Sequence, residues 1–176
     1  MKILHSITLL LLTFSGFTQS RVNPVIKNYG GIFEIPYAEE KPDPGLDYNI
    51  VIEIVTGSDS PDSINWALSN VARLINLHVM GGVPQEKLKV VLAIHGSAAF
   101  TILNNKAYRA KYGVENPNLK LFQELKQGGV QMFVCGQSLI ARKIDRFNMV
   151  PEVKIATSML TTLTTYQLKG YATLKF

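Results

Sequence analysis

The sequence predicts an α/β domain built on a mainly parallel sheet. From Tyr48 onward, short β-branched apolar runs alternate with stretches of helical periodicity, the order expected when helices cover both faces of a parallel sheet. The strand runs are almost continuously apolar rather than alternating, as strands buried on two sides are. The first three each run into a polar residue followed closely by glycine: Thr56-Gly57, His95-Gly96 and Cys135-Gly136.

The first strand is Tyr48 to Val55, closed by Thr56-Gly57-Ser58-Asp59. A helix is expected to follow with Ser60 as N-cap and Pro61 at its first position. Ile64, Ala67, Leu68, Val71, Leu74 and Ile75 form its apolar stripe as far as Gly81-Gly82. Leu88 to Ile94 reads as the second strand, and Ala98 to Tyr112 as helical with a break near Asn104-Asn105. Asn116-Pro117 opens a helix carrying Leu119, Phe122 and Leu125 that Gly128-Gly129 ends. The third strand is Val130 to Val134. A helix from Ser138, a short strand Val153 to Ile155, a helix Thr157 to Lys169 and a final strand Tyr171 to Lys175 complete the domain.

Two segments precede it. Lys2, the uncharged apolar stretch Ile3 to Phe17 and the small-residue ending Thr18-Gln19-Ser20 have the form of a secretory leader, so residues 1–20 are expected to be removed and the protein exported to a periplasmic or extracellular location. Residues 21–47 hold Pro24, Pro36, Pro42 and Pro44 with Gly30, Gly31 and Gly45. That density argues for an ordered arm without long elements, and its apolar Ile32 to Tyr37 stretch is expected at a subunit contact. Residues 48–176 then form the α/β domain.

With 47% apolar and 18% charged residues, the composition is that of a globular chain. Loss of the leader leaves 17 basic and 13 acidic residues, a net +4. The only close basic group, Arg142, Lys143 and Arg146, lacks interleaved aromatics. It is read as a solvated helix face, and no nucleic-acid partner is expected. The leader's apolar run is too short for a comfortable bilayer span, so no stable membrane insertion is expected.

No phosphate loop, GxGxxG fingerprint, GxSxG elbow or CxxC pair is present. His5 lies in the leader and His78 in the first helix, which leaves His95 and Cys135 without a third ligand. Neither a metal nor any other cofactor is therefore expected.

The single cysteine carries the chemical argument. Right-handed connections bring the carboxyl ends of parallel strands to one edge of the sheet, the usual ligand crevice of such folds. A thiol there, at the start of a helix, is biased toward the nucleophilic thiolate, although cysteine is also among the residues most often buried as plain packing. One cysteine cannot form an internal disulfide, so in an oxidising compartment Cys135 must be buried, reactive or paired with another molecule. His95 could lower the thiol's pKa, orient it or shuttle a proton, or it could be a satisfied turn histidine. Asp59 is read as a helix N-terminal acid. Thr56, Gly57, Ser58, Gly96, Gly136 and Gln137 complete the candidate ligand edge, the glycines having an equal explanation as turn residues.

These features resemble the DsrE/DsrF-like sulfur-relay family over Tyr48 to Phe176. The likeness rests on the Ile50 to Gly57 strand and turn, the Val90 to Gly96 strand ending in His-Gly, the Gly129 to Ser138 segment with cysteine after the third strand, and the Pro151 to Phe176 ending with Gly170-Tyr171. The resemblance implies a three-layer α/β/α domain that assembles as trimers or their multiples and holds sulfur as a persulfide. Cys135 matches the family's sulfur-carrying cysteine, and His95-Gly96 matches a segment at the same sheet edge. Sulfur donor and acceptor proteins are the partners implied. The export leader and Pro-rich arm depart from the cytoplasmic hetero-oligomers of that family. The competing expectation is a small-ligand-binding or interaction module in which Cys135 is a packed wall residue.

Overall fold

The computed structural model describes residues 19–176, so the leader lies outside the described residues apart from Gln19 and Ser20. Five strands, β1 (Tyr48–Ile54), β2 (Leu88–Ile94), β3 (Gln131–Cys135), β4 (Lys154–Ala156) and β5 (Ala172–Lys175), form one sheet in the order β4-β3-β2-β1-β5. Every pairing is parallel. The helices are α1 (Trp66–Met80), α2 (Asn105–Tyr112), α3 (Leu119–Gln127), α4 (Gly136–Ala141) and α5 (Met159–Leu168). Among the described residues no helix is long and apolar enough to cross a membrane.

Strand order explains the layering. From β1 to β4 the chain advances one strand at a time in one direction, and right-handed crossovers then place the intervening helices on one face. Even-numbered residues of β1 to β3, such as Ile52, Leu92 and Val134, point into that layer and share the main core with Leu68 of α1, Phe122 of α3 and Leu139 of α4. The step from β4 to β5 reverses direction across the whole sheet, so α5 must lie on the other face. There it packs on β1, β2 and β3, with Tyr166 against Phe133 at 6.3 Å between ring centroids. The result is a three-layer α/β/α domain with an all-parallel sheet.

The first helix starts later than the sequence predicts. Ser60-Pro61 belongs to a turn, closed by Ser63 N–H to Ser60 O at 3.1 Å, and the N-cap is Asn65, whose Oδ1 accepts from Leu68 N at 3.0 Å. Asn65 is held there by other groups: its N–H donates to Asn118 Oδ1 at 2.8 Å and its Nδ2 to Thr56 O at 2.9 Å. A buried amide network outcompetes the local serine cap. Asp59 is consequently a loop residue seven positions ahead of α1, not a helix-start acid. Arg142, Lys143 and Arg146 do not form a helix face either: α4 stops at Ala141, Lys143 takes a positive φ of 53°, and Arg146 opens a 3-10 turn. The strand expected at Val153 to Ile155 is shifted by one residue, because Phe133 to Cys135 pair with Lys154 to Ala156.

The arm contains no long element, and it is fastened to the domain. Ile26 and Ile32 are buried, and Val22 and Ile32 form an antiparallel bridge. Asn76, fully buried in α1, accepts from the N–H groups of Val25 and Ile26 at 3.0 Å each and donates to the carbonyls of Tyr29 and Gly30 at 3.1 Å. Ile32 therefore serves the chain's own core. The rest of that stretch, Phe33 to Tyr37, remains exposed.

Candidate functional site

Cys135 is the last residue of β3 and the N-cap of α4. As an odd-numbered strand residue it faces α5, and Sγ donates to Ser158 Oγ, the N-cap of α5, at 3.9 Å. The thiol sits where the starts of two helices meet. Burial pushes its pKa up, but the N–H groups of Met159 and Ser138 and the hydroxyls of Ser138 and Ser158 outweigh this and hold it below the ordinary thiol value. Cys135 is 4% exposed, while Gln137 beside it is open to solvent. Ionisation is therefore made easier for a thiol just beneath the surface.

Gly136 permits this arrangement, because a Cβ there would stand 3.0 Å from Ala156 O and hold β4 away from the start of α4. Gly96 performs a related task one strand over. It has φ +59°, and a Cβ would meet Val55 O at 2.6 Å, so the β1 and β2 loops can touch only with glycine at this position. Ser97 Oγ joins the same two loops by accepting from Gly57 N–H at 2.9 Å.

His95 follows the last residue of β2 as Cys135 follows Val134, with Ile94 paired to Val134. The Nε2 side of its ring is turned to β1. Nε2 lies 2.8 Å from Glu53 Oε1 on β1, and Glu53 Oε2 lies 3.4 Å from Lys175 Nζ on β5. Glu53 was not among the residues singled out from the sequence. The available signal was a lone carboxylate inside an otherwise apolar strand run, which is costly to bury unless paired. Ser138, Ser158 and Met159 were also missed, the latter two because no sequence pattern tells that α5 begins over β3.

Thr56, Gly57 and Ser58 do not join Cys135. With Ser97, Thr101 and Tyr108 they line a separate crevice of about 310 Å³ between the β1 loop and α2. Ser58 Oγ is buried there without a hydrogen-bond partner among the described residues. Among the described residues no three His, Cys, Asp or Glu side chains converge as metal ligands.

Comparison with known proteins bears on the family and the fold. No curated protein matches the chain. Among solved structures, a protein of unknown function from Methanobacterium thermoautotrophicum, MTH1491, is similar with a TM-score of 0.56 and 18% identity, covering 74% of this chain and 100% of that one. The ychN protein of E. coli is similar with a TM-score of 0.55 and 19% identity over 73% of this chain and 99% of its own. These likenesses establish the fold. The model of the DsrE/DsrF-like family matches residues 49–176, the whole sheet with its helices and the Cys135 edge, and the chain belongs to that family.

Proposed function

We propose that the protein holds sulfane sulfur as a persulfide on Cys135 and passes it to a partner. The supporting observation is the set of donors from Ser138, Ser158 and Met159 that lowers the pKa of a near-surface thiol, because the thiolate is the form that attacks a sulfane sulfur. The absence of any second cysteine suits this role, since no neighbouring thiol can discharge the persulfide as an internal disulfide. Intact-mass measurement after incubation with inorganic polysulfide is expected to show added sulfur that a reductant removes and that Cys135→Ser never acquires. A folded protein whose mass stays unchanged under excess polysulfide overturns the proposal.

A second reading, a small-ligand-binding module, is favoured by one observation: the unpartnered Ser58 Oγ in the Thr56 to Ser58 crevice. Under it Cys135 takes no sulfur and serves as packing. As further parts of the proposal, the protein is exported after cleavage near Arg21 and works as a homo-oligomer. N-terminal sequencing from the native host tests the first of these, and Met1 retained in a cytosolic fraction removes it.

A further inference from the structure

Four chemistry-bearing side chains share the face of the sheet that α5 covers: Glu53, His95, Cys135 and Lys175. They follow from register. Glu53 pairs with Lys175 on one side and Ala93 on the other, and Ala93 pairs with Phe133; Cys135 lies two residues further along β3, and His95, still extended at φ −154° and ψ −165°, lies just past the end of β2. Alternation then puts all of them on one face.

Glu53 is 13% exposed and His95 19% exposed. A carboxylate this buried in the second strand from the sheet edge is expensive unless it is compensated, and an apolar residue beside Val51 would pack at no such cost. What the carboxylate does is orient the imidazole. It can only accept hydrogen bonds, so Nε2 of His95 must carry the proton between them, and Lys175 holds the second carboxylate oxygen. Nδ1 is thereby left as the working nitrogen on the residue adjacent to the thiol.

Resting on the sulfur-carrier reading, we infer that Glu53 is a positioning residue for sulfur loading, which holds His95 to act as the acid that protonates the departing thiol of an alkyl persulfide donor. The Cys135 thiolate attacks the outer sulfur of R–S–S–H, a new S–S bond forms on Cys135, and the donor S–S bond breaks with its electron pair on R–S. His95, as imidazolium, delivers a proton to that sulfur, and the products are Cys135–S–S–H, R–SH and neutral His95. No external oxidant is required, because the sulfane sulfur is transferred at its own oxidation level.

An acid of this kind matters only when the leaving thiolate is basic, and this dependence is the test. Full-length mature protein, Glu53→Gln and His95→Gln are each treated with glutathione persulfide, whose leaving thiolate is basic, and with an aromatic disulfide that releases thionitrobenzoate, whose leaving thiolate needs no proton. Both variants are expected to react with the aromatic disulfide at the unsubstituted rate and to load from glutathione persulfide about 100-fold more slowly. The double variant is expected to be no slower than His95→Gln alone, as for two groups acting in series. If Glu53→Gln does not fold, Glu53→Asp, which withdraws the carboxylate by one methylene, replaces it with the same selective loss expected. Equal slowing toward both probes, or slowing toward neither, overturns the inference while leaving Cys135 a sulfur carrier. Unsubstituted protein that reacts with the aromatic disulfide but takes no sulfur from the persulfide overturns the carrier reading and this inference together.

Discussion

Ser158 Oγ sits 3.9 Å from Cys135 Sγ while accepting the N–H of Leu160 at 3.2 Å, so one hydroxyl caps α5 and touches the thiol. Its own proton remains free to be donated once the thiol ionises. The helix that covers the sheet and the chemistry beneath it are thereby joined through one atom.

This relationship fixes a pH dependence. Because the folded-state thiol pKa lies below its unfolded value, the ionised thiol contributes stability that is fully present above the unfolded value and is lost as pH falls through the folded one. Alkylation of native protein should show a midpoint below that of the denatured chain, and the stability difference from Cys135→Ser should grow with pH across that window. Ser158→Asp keeps the cap but faces the sulfur with a negative charge, so the midpoint should rise. Ser158→Ala should raise it too and cost about 1 kcal/mol in urea unfolding through the lost cap.

Asn76→Leu should loosen the arm. The substitution strands the N–H groups of Val25 and Ile26 and the Gly30 carbonyl, while Tyr29 O keeps its bond from Asn23 Nδ2 at 2.8 Å, and a loss of about 3 kcal/mol is expected. Chemical denaturation measures the loss, and limited proteolysis should cut first within residues 21–47.

Gly96→Ala should destabilise the domain by about 2 kcal/mol or more, since a positive φ and a Cβ 2.6 Å from Val55 O act together. Gly113→Ala is the control, because it shares the positive φ but meets no described residue within 4 Å. Its loss of about 1 kcal/mol should be the smaller in thermal unfolding.

The layer formed by α5 leaves Leu168 89% exposed and Leu160 largely so, and Tyr37 of the arm is 80% exposed. Closed homo-oligomers bury surfaces of this kind. Light scattering of the mature protein should give a trimer or a multiple of it, with Leu160→Asp or Tyr37→Asp shifting the mass downward. A monomer at high protein concentration ends this prediction.

Local chemistry made much of the domain readable from the residues alone. The runs Val90–Ile94 and Met132–Val134 are apolar because both their faces are covered, and the stripe through Leu68, Val71 and Ile75 is one face of a helix. Cys135 falls at a strand end for the same local reason. Whatever depended on strand order had no local signature. The reversal between β4 and β5 carries α5 across the opposite face, and this step sets Ser158 over Cys135 and Lys175 beside Glu53. Register set Nε2 of His95 against Glu53, and Thr56 to Ser58 line a crevice of their own. Asn65 displaced Ser60 as the helix cap because Asn118, 53 residues distant, supplied the deciding hydrogen bond. Periodicity and turn chemistry are properties of neighbours in sequence, whereas the electrostatics of this edge belong to side chains from β1, β2, β3, α5 and β5 that only the closed sheet brings together.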